Sequence, residues 1–137
     1  MKLTKSENEL MQIFWKEDRP LTSVQILELS KGHSWSGQYL HKMLRSLNKQ
    51  GIIDVCGSIQ YGSQYARQFK TLLTKEEVAA KSIISQGLSR DSIAKITMAL
   101  IKETKKSEKE NSDDIIETLE KMIEAYKAEN DNEGSSR

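Results

Sequence analysis

At 137 residues, with 36% apolar and 30% charged side chains, the chain has room for one domain of ordinary size plus an appendage, and suits a soluble, largely helical protein with a modest core. No run is apolar enough to span a membrane, and the charged start MKLTKSENELM lacks the apolar stretch of a signal peptide, so the expected compartment is the cytoplasm. The net charge of +1 hides an asymmetry, residues 1–73 carrying 10 Lys and Arg against 6 Asp and Glu and residues 74–137 carrying 11 against 14; the front half can meet phosphate and the back half would repel it.

Thr4-Lys5-Ser6-Glu7 has the form of a capping box and predicts a helix start. Leu10, Ile13 and Phe14 follow at helical spacing, Met11 and Trp15 widen the apolar face, and Arg19-Pro20 ends the run. A second capping box, Thr22-Ser23-Val24-Gln25, opens a helix of about ten residues carrying Val24, Ile26, Leu27 and Leu29, which Gly32 stops. The third helix begins at Ser36, a fair N-cap, and buries Leu40, Met43, Leu44 and Leu47 before Gly51. Gln38, Tyr39, His41, Lys42, Arg45 and Lys49 are left outside.

After Gly51 the period changes. Ile52-Ile53-Asp54-Val55 is β-branched, Gly57-Ser58 and Tyr61-Gly62-Ser63 are turn formers, and Gln64 to Phe69 alternates, which predicts a β-hairpin with a long polar tip. Three helices followed by a hairpin spell a winged helix, in which the third helix enters a major groove and the hairpin reaches the neighbouring backbone.

A third capping box, Thr74-Lys75-Glu76-Glu77, opens a helix that runs to Gly87. Ser89 to Thr104 carries Ile93, Ile96, Met98, Leu100 and Ile101; beyond the polar tract KETKKSEKENS, residues 113–127 carry Ile115, Ile116, Leu119, Met122, Ile123 and Tyr126. Two such amphipathic helices need a partner. Packing against a second copy supplies one, giving a symmetric dimer; folding back onto the winged helix is the other solution. The expected fold class is therefore mainly α with a small β-hairpin, divided into a winged-helix domain at 1–73, a helical dimerisation region at 74–128 and a disordered tail at 129–137.

Chemistry is not expected. Cys56 stands alone and reads as a strand or turn filler, and without ligand spacing it makes no metal site. His33 and His41 lie on different elements with no Ser, Cys or carboxylate spaced to fix a catalytic group. No Gly-rich phosphate loop is present, and no cofactor is expected.

LTKSENELMQIFW, PLTSVQI, WSGQYLHKMLRSLNKQGII and the late SDDIIETLEKMIE resemble the penicillinase repressors, the BlaI/MecI/CopY family of bacterial winged-helix regulators. The likeness runs from Leu3 to Tyr126 and rests on the ordered series Trp15, Pro20, Trp35-Ser36, Leu47 and Gly51. It implies a dimeric repressor on a dyad-symmetric operator, removed when a membrane sensor-protease signals. The chain departs from the family at Tyr39 and Lys42, where Thr is usual, and at Ser46, where Arg is usual. It has Gly62-Ser63-Gln64-Tyr65-Ala66-Arg67-Gln68-Phe69 in the hairpin and Ala99-Leu100 where the antibiotic-resistance repressors are cut. The cysteine-rich metal motif of the copper-responsive branch is missing, so copper sensing is not expected.

The candidate DNA contacts are Ser36, Gly37, Gln38, Tyr39, Lys42, Arg45, Ser46, Lys49 and Arg67. Gln38 can pair with adenine or a phosphate, Lys42 and Arg45 can reach guanine edges or backbone oxygens, and Tyr39 can cover a thymine methyl. Ser36 and Gly37 offer free backbone donors at a helix start, and Arg67 suits a backbone contact or a rim salt bridge. Trp15 and Trp35 read as core or core edge. The dimerisation candidates are Ile93, Ile96, Leu100, Ile115, Leu119 and Met122. The sequence leaves two functions open: a sequence-specific repressor acting as a homodimer, or a winged-helix module that dimerises and docks a protein after losing DNA readout.

Overall fold

Each of the three Thr residues that head a capping box starts a helix. Thr4, Thr22 and Thr74 accept from the backbone N–H three residues on, and Glu7, Gln25 and Glu77 return the bond to the cap's own N–H. A computed structural model describes residues 2–33, 35–107 and 113–135. Its elements are α1 (Lys5–Glu17), β1 (Leu21–Thr22), α2 (Ser23–Leu29), α3 (Gly37–Lys49), β2 (Ile53–Tyr61), β3 (Gln64–Thr71), α4 (Lys75–Ile84), α5 (Arg90–Ser107) and α6 (Asp113–Ser135).

The chain divides into two units, Met1–Gly87 and Leu88–Arg137. In the first, Leu10, Met11 and Phe14 of α1 meet Leu21, Ile26, the Leu40, Met43, Leu44 and Leu47 stripe of α3, and Ile52 and Ile53 in one core. Val78 of α4 belongs to the same core, which is why this unit reaches Gly87 and does not end at the expected Leu73. Full burial of a Leu-sized side chain contributes about 1.5–3 kcal/mol, so the four-residue stripe fixes which face of α3 looks inward.

Gly51 closes α3. Its φ of 78° is the left-handed conformation that glycine adopts without a Cβ penalty. The Ile52 N–H then donates to the Leu47 carbonyl at 3.1 Å, and both side chains are fully buried, the hydrophobic contact that accompanies this helix ending.

The sheet has three antiparallel strands in the order β1-β3-β2, so the two-residue β1, which the sequence does not announce, flanks the hairpin. The hairpin differs from its expectation. Tyr61 pairs with Gln64, leaving a tight turn at Gly62-Ser63 in place of a long tip, and Gly57-Ser58 lies within β2 beside a bulge. Gly62, at φ 62°, supplies the positive angle that a two-residue hairpin turn needs at its first central position. Helix two is shorter than expected: α2 has seven residues and buries only Ile26, while Val24, Leu27 and Leu29 stay exposed. Three helices, a winged hairpin and then α4 are thus the architecture of the first unit.

In the second unit, α5 runs to Ser107 and α6 runs to Ser135, past the expected end at residue 128 and through most of the segment expected to lack structure. A groove of about 450 Å³ between them is lined by Thr97, Leu100, Ile101, Asp114, Ile115, Thr118, Leu119 and Met122. Four of the six dimerisation candidates meet there; Ile93 is exposed and Ile96 half-buried on α5. No helix among the described residues is long and apolar enough to cross a membrane.

Candidate nucleic-acid interface

With the Leu40 to Leu47 stripe inside, Gln38, Tyr39, His41, Lys42, Arg45 and Lys49 all stand exposed on α3. Ser36 caps the helix by accepting from the Tyr39 N–H at 3.1 Å, which leaves Gly37 and Gln38 in its first turn. The N–H groups of a helix's first turn lack partners within it, and they point outward at this end.

Ser46 is placed otherwise. Its hydroxyl donates to Glu7 Oε2 at 2.9 Å, and Gln50 Nε2 approaches the same oxygen at 3.4 Å, so Ser46 ties α3 to α1 and does not belong to the outward row. A carboxylate can be held there because Glu7, almost fully buried, also accepts from the Thr4 N–H at 3.0 Å. Ser46, where the resemblance leads us to expect a departure on the DNA-facing side, therefore makes an inner contact. Helical phase could have shown this, since Met43, Ser46 and Gln50 recur at i, i+3 and i+7.

Charge is distributed unevenly over the first unit. The elements α3 and β3 carry Lys42, Arg45, Lys49, Arg67 and Lys70 and no Asp or Glu, while α1 carries Glu7, Glu9 and Glu17 beside Lys5 and Lys16. None of those five cations pairs with a described carboxylate; Arg67 makes no rim salt bridge, whereas Arg19 is 3.5 Å from Glu17. Lys70 lies opposite Asp54 of β2 and on the other sheet face from Arg67, so Lys42, Arg45, Lys49 and Arg67 are the unpaired cations that give a surface attracting a polyanion.

Two clefts flank α3. One, of about 620 Å³, is lined by Ser23, Val24, His41, Leu44, Arg45, Asn48, Gln64, Tyr65, Ala66, Arg67 and Phe69, and so lies between α3 and the hairpin. The other, of about 700 Å³, is lined by Lys5, Ser6, Glu9, Gly32, His33, Trp35, Ser36 and Tyr39 at the start of α3. In it the His33 ring stacks on Trp35 at 4.5 Å and His33 Nδ1 lies 3.3 Å from Glu9 Oε2. Trp35 and Trp15 both pack against the core, and Trp15 Nε1 donates to the Leu73 carbonyl at 3.1 Å, tying α1 to the chain beyond β3. Cys56 lies exposed at the β2 bulge, its Sγ 3.6 Å from the Gln68 carbonyl. Ala99 and Leu100 are exposed in the middle of α5.

A family profile described as penicillinase repressor matches residues 3–125. No curated protein matches. Among solved structures, two mutants of Lactococcus lactis ZitR are each 15% identical to this chain, with 79% of it and 77% of theirs covered, at a TM-score of 0.39, too loose a likeness to bear on function.

Proposed function

The chain belongs to the penicillinase repressor family, whose members regulate transcription and are not enzymes, and from that premise we propose that it represses by binding an operator as a homodimer. The observation that carries the reading is the exposed outer row of α3, with Lys42, Arg45 and Lys49, and Arg67 of β3 across a cleft from it, four cations with no described salt bridge. In a winged helix, α3 enters the major groove with base edges in reach of its outer side chains, while the hairpin meets the backbone. Gln38, Tyr39 and Lys42 are then the base contacts; Ser36, Gly37, Lys49 and Arg67 position the protein on phosphates.

Dimerisation belongs to the second unit. The groove of Leu100, Ile115, Leu119 and Met122 supports that role, because apolar side chains lining an open groove are stabilised by a partner that excludes water from them. Two α3 helices related by a two-fold axis read two half-sites, so the operator is dyad-symmetric. We place the protein in the cytoplasm, where the DNA is. Release through a sensor-protease cutting at Ala99-Leu100 would require α5 to open there, since that bond lies within a helix.

Selection of duplexes from a random pool by the full chain tests the reading. It predicts an enriched motif with two inverted half-sites about one helical turn apart, or a multiple of that. Enrichment of no motif would leave the chain as a dimerising module without readout, and a motif lacking symmetry would remove the dimer.

A further inference from the structure

The exposed side chains of α3 fall into two rows. His41, Arg45 and Asn48, at i, i+4 and i+7, line the cleft that faces the hairpin, whereas Gln38, Lys42 and Lys49 do not. The opposite wall comes from β3. Alternation along a strand sends Tyr65, Arg67 and Phe69 to one face, and Phe69 packs against the core, so Tyr65 and Arg67 overhang α3. The floor, Val24, Leu44 and Phe69, is apolar.

We propose that this cleft clamps one sugar–phosphate strand of the duplex, with Arg45 and Arg67 on its phosphates and Tyr65 against a sugar, so that Arg45 positions the protein and reads no base. The inference rests on the DNA-binding reading and divides α3 between two tasks. Two guanidinium groups on facing walls, with no carboxylate in the lining, suit anionic groups. The apolar floor and the tyrosine suit what alternates with phosphates along a nucleic acid strand, the sugar ring. Tyr65 is 70% exposed, the most exposed large apolar side chain among the described residues, and its hydroxyl has no described partner. An aromatic ring left in solvent beside two unpaired arginines gains contact area when a strand enters. His41 and Asn48 add hydrogen-bonding groups along the α3 wall.

The test uses the full chain and a random-sequence duplex pool. Affinity is measured against salt, and base preference is read from the selected duplexes, for the wild type and for Arg45→Ala, Arg67→Ala, Tyr65→Ala and Tyr65→Phe. These side chains are all exposed, so the core is untouched. Arg45→Ala and Arg67→Ala should each reduce the magnitude of the salt slope by about 0.9 and leave base preference unchanged. Tyr65→Ala should weaken binding several-fold with the slope kept, and Tyr65→Phe should restore it.

A changed base preference in Arg45→Ala overturns the proposal, as does wild-type affinity in Tyr65→Ala. Either result, obtained while the wild type binds with a steep salt slope, leaves the DNA-binding reading standing. A wild type that binds no duplex ends both. Should a polyglutamate peptide bind in place of duplex and lose affinity in Tyr65→Ala, the cleft takes an acidic peptide and the proposal fails.

Discussion

Replacing Glu7 by Ala should destabilise the first unit by about 2–3 kcal/mol. The carboxylate accepts from the Thr4 N–H at 3.0 Å, from the Ser46 hydroxyl at 2.9 Å and, at a long 3.4 Å, from Gln50. Loss of a capping interaction costs about 1 kcal/mol, and a short hydrogen bond to a charged acceptor is worth about 1.5–3 kcal/mol. The long Gln50 contact adds little, and Gln50 also reaches the Ser46 oxygen at 3.1 Å, which softens the loss. Glu7→Gln keeps an acceptor for the cap and should cost about half as much. Both tryptophans, Trp15 and Trp35, lie in the unit Met1–Gly87. Urea unfolding of the full chain followed by tryptophan fluorescence therefore reports this unit. If both variants unfold within about 0.5 kcal/mol of the wild type, the size of an ordinary surface substitution, then Glu7 does not hold α3 to α1.

Lys49→Ala should weaken binding to all duplexes alike, whereas Gln38→Ala and Lys42→Ala should shift the preferred base by about 1–3 kcal/mol, as read by selection; unchanged preference in both would remove them as readers. Trp15→Phe keeps the packed ring but loses the bond to the Leu73 carbonyl, and should cost about 1 kcal/mol in the same urea assay. A chain ending at Gly87, which retains Val78 in the core, should sediment as a folded monomer and hold one half-site weakly. Leu100→Asp or Leu119→Asp should likewise dissociate the full chain, because an unpaired carboxylate is disfavoured in an apolar interface; a truncated chain that still sediments as a dimer would place the interface in the winged helix.

Local signals were legible in the sequence wherever one segment decides the outcome. The three Thr capping boxes mark real helix starts, and Ser36 and Gly51 bracket α3, because capping and left-handed geometry are set within a few residues. The stripe of α3 was equally plain, and with it the outward set from Gln38 to Lys49. What escaped depends on distant partners. Two residues, Leu21 and Thr22, have no alternation to show, and become a strand only because Phe69 and Gln68 lie opposite. Gly57-Ser58 has turn composition, yet pairing with Gln68 and Arg67 carries β2 through it. The buried Glu7 reads in sequence only as half of a capping box; its hold on Ser46 spans 39 positions. The α3–hairpin cleft needs Arg45 and Tyr65 brought together from two elements, and no spacing in the chain announces that.

If the chain is an operator-binding repressor, the α3 and hairpin surface meets the phosphates of a duplex. Duplex affinity of the full chain, titrated against salt, tests it most directly. Log affinity should fall linearly with log salt, at about −0.9 for each phosphate neutralised, with the magnitude of the slope reduced by about one contact in Lys49→Ala. A flat response, with Lys49→Ala indistinguishable from the wild type, would contradict it and return the winged helix to a protein-docking role.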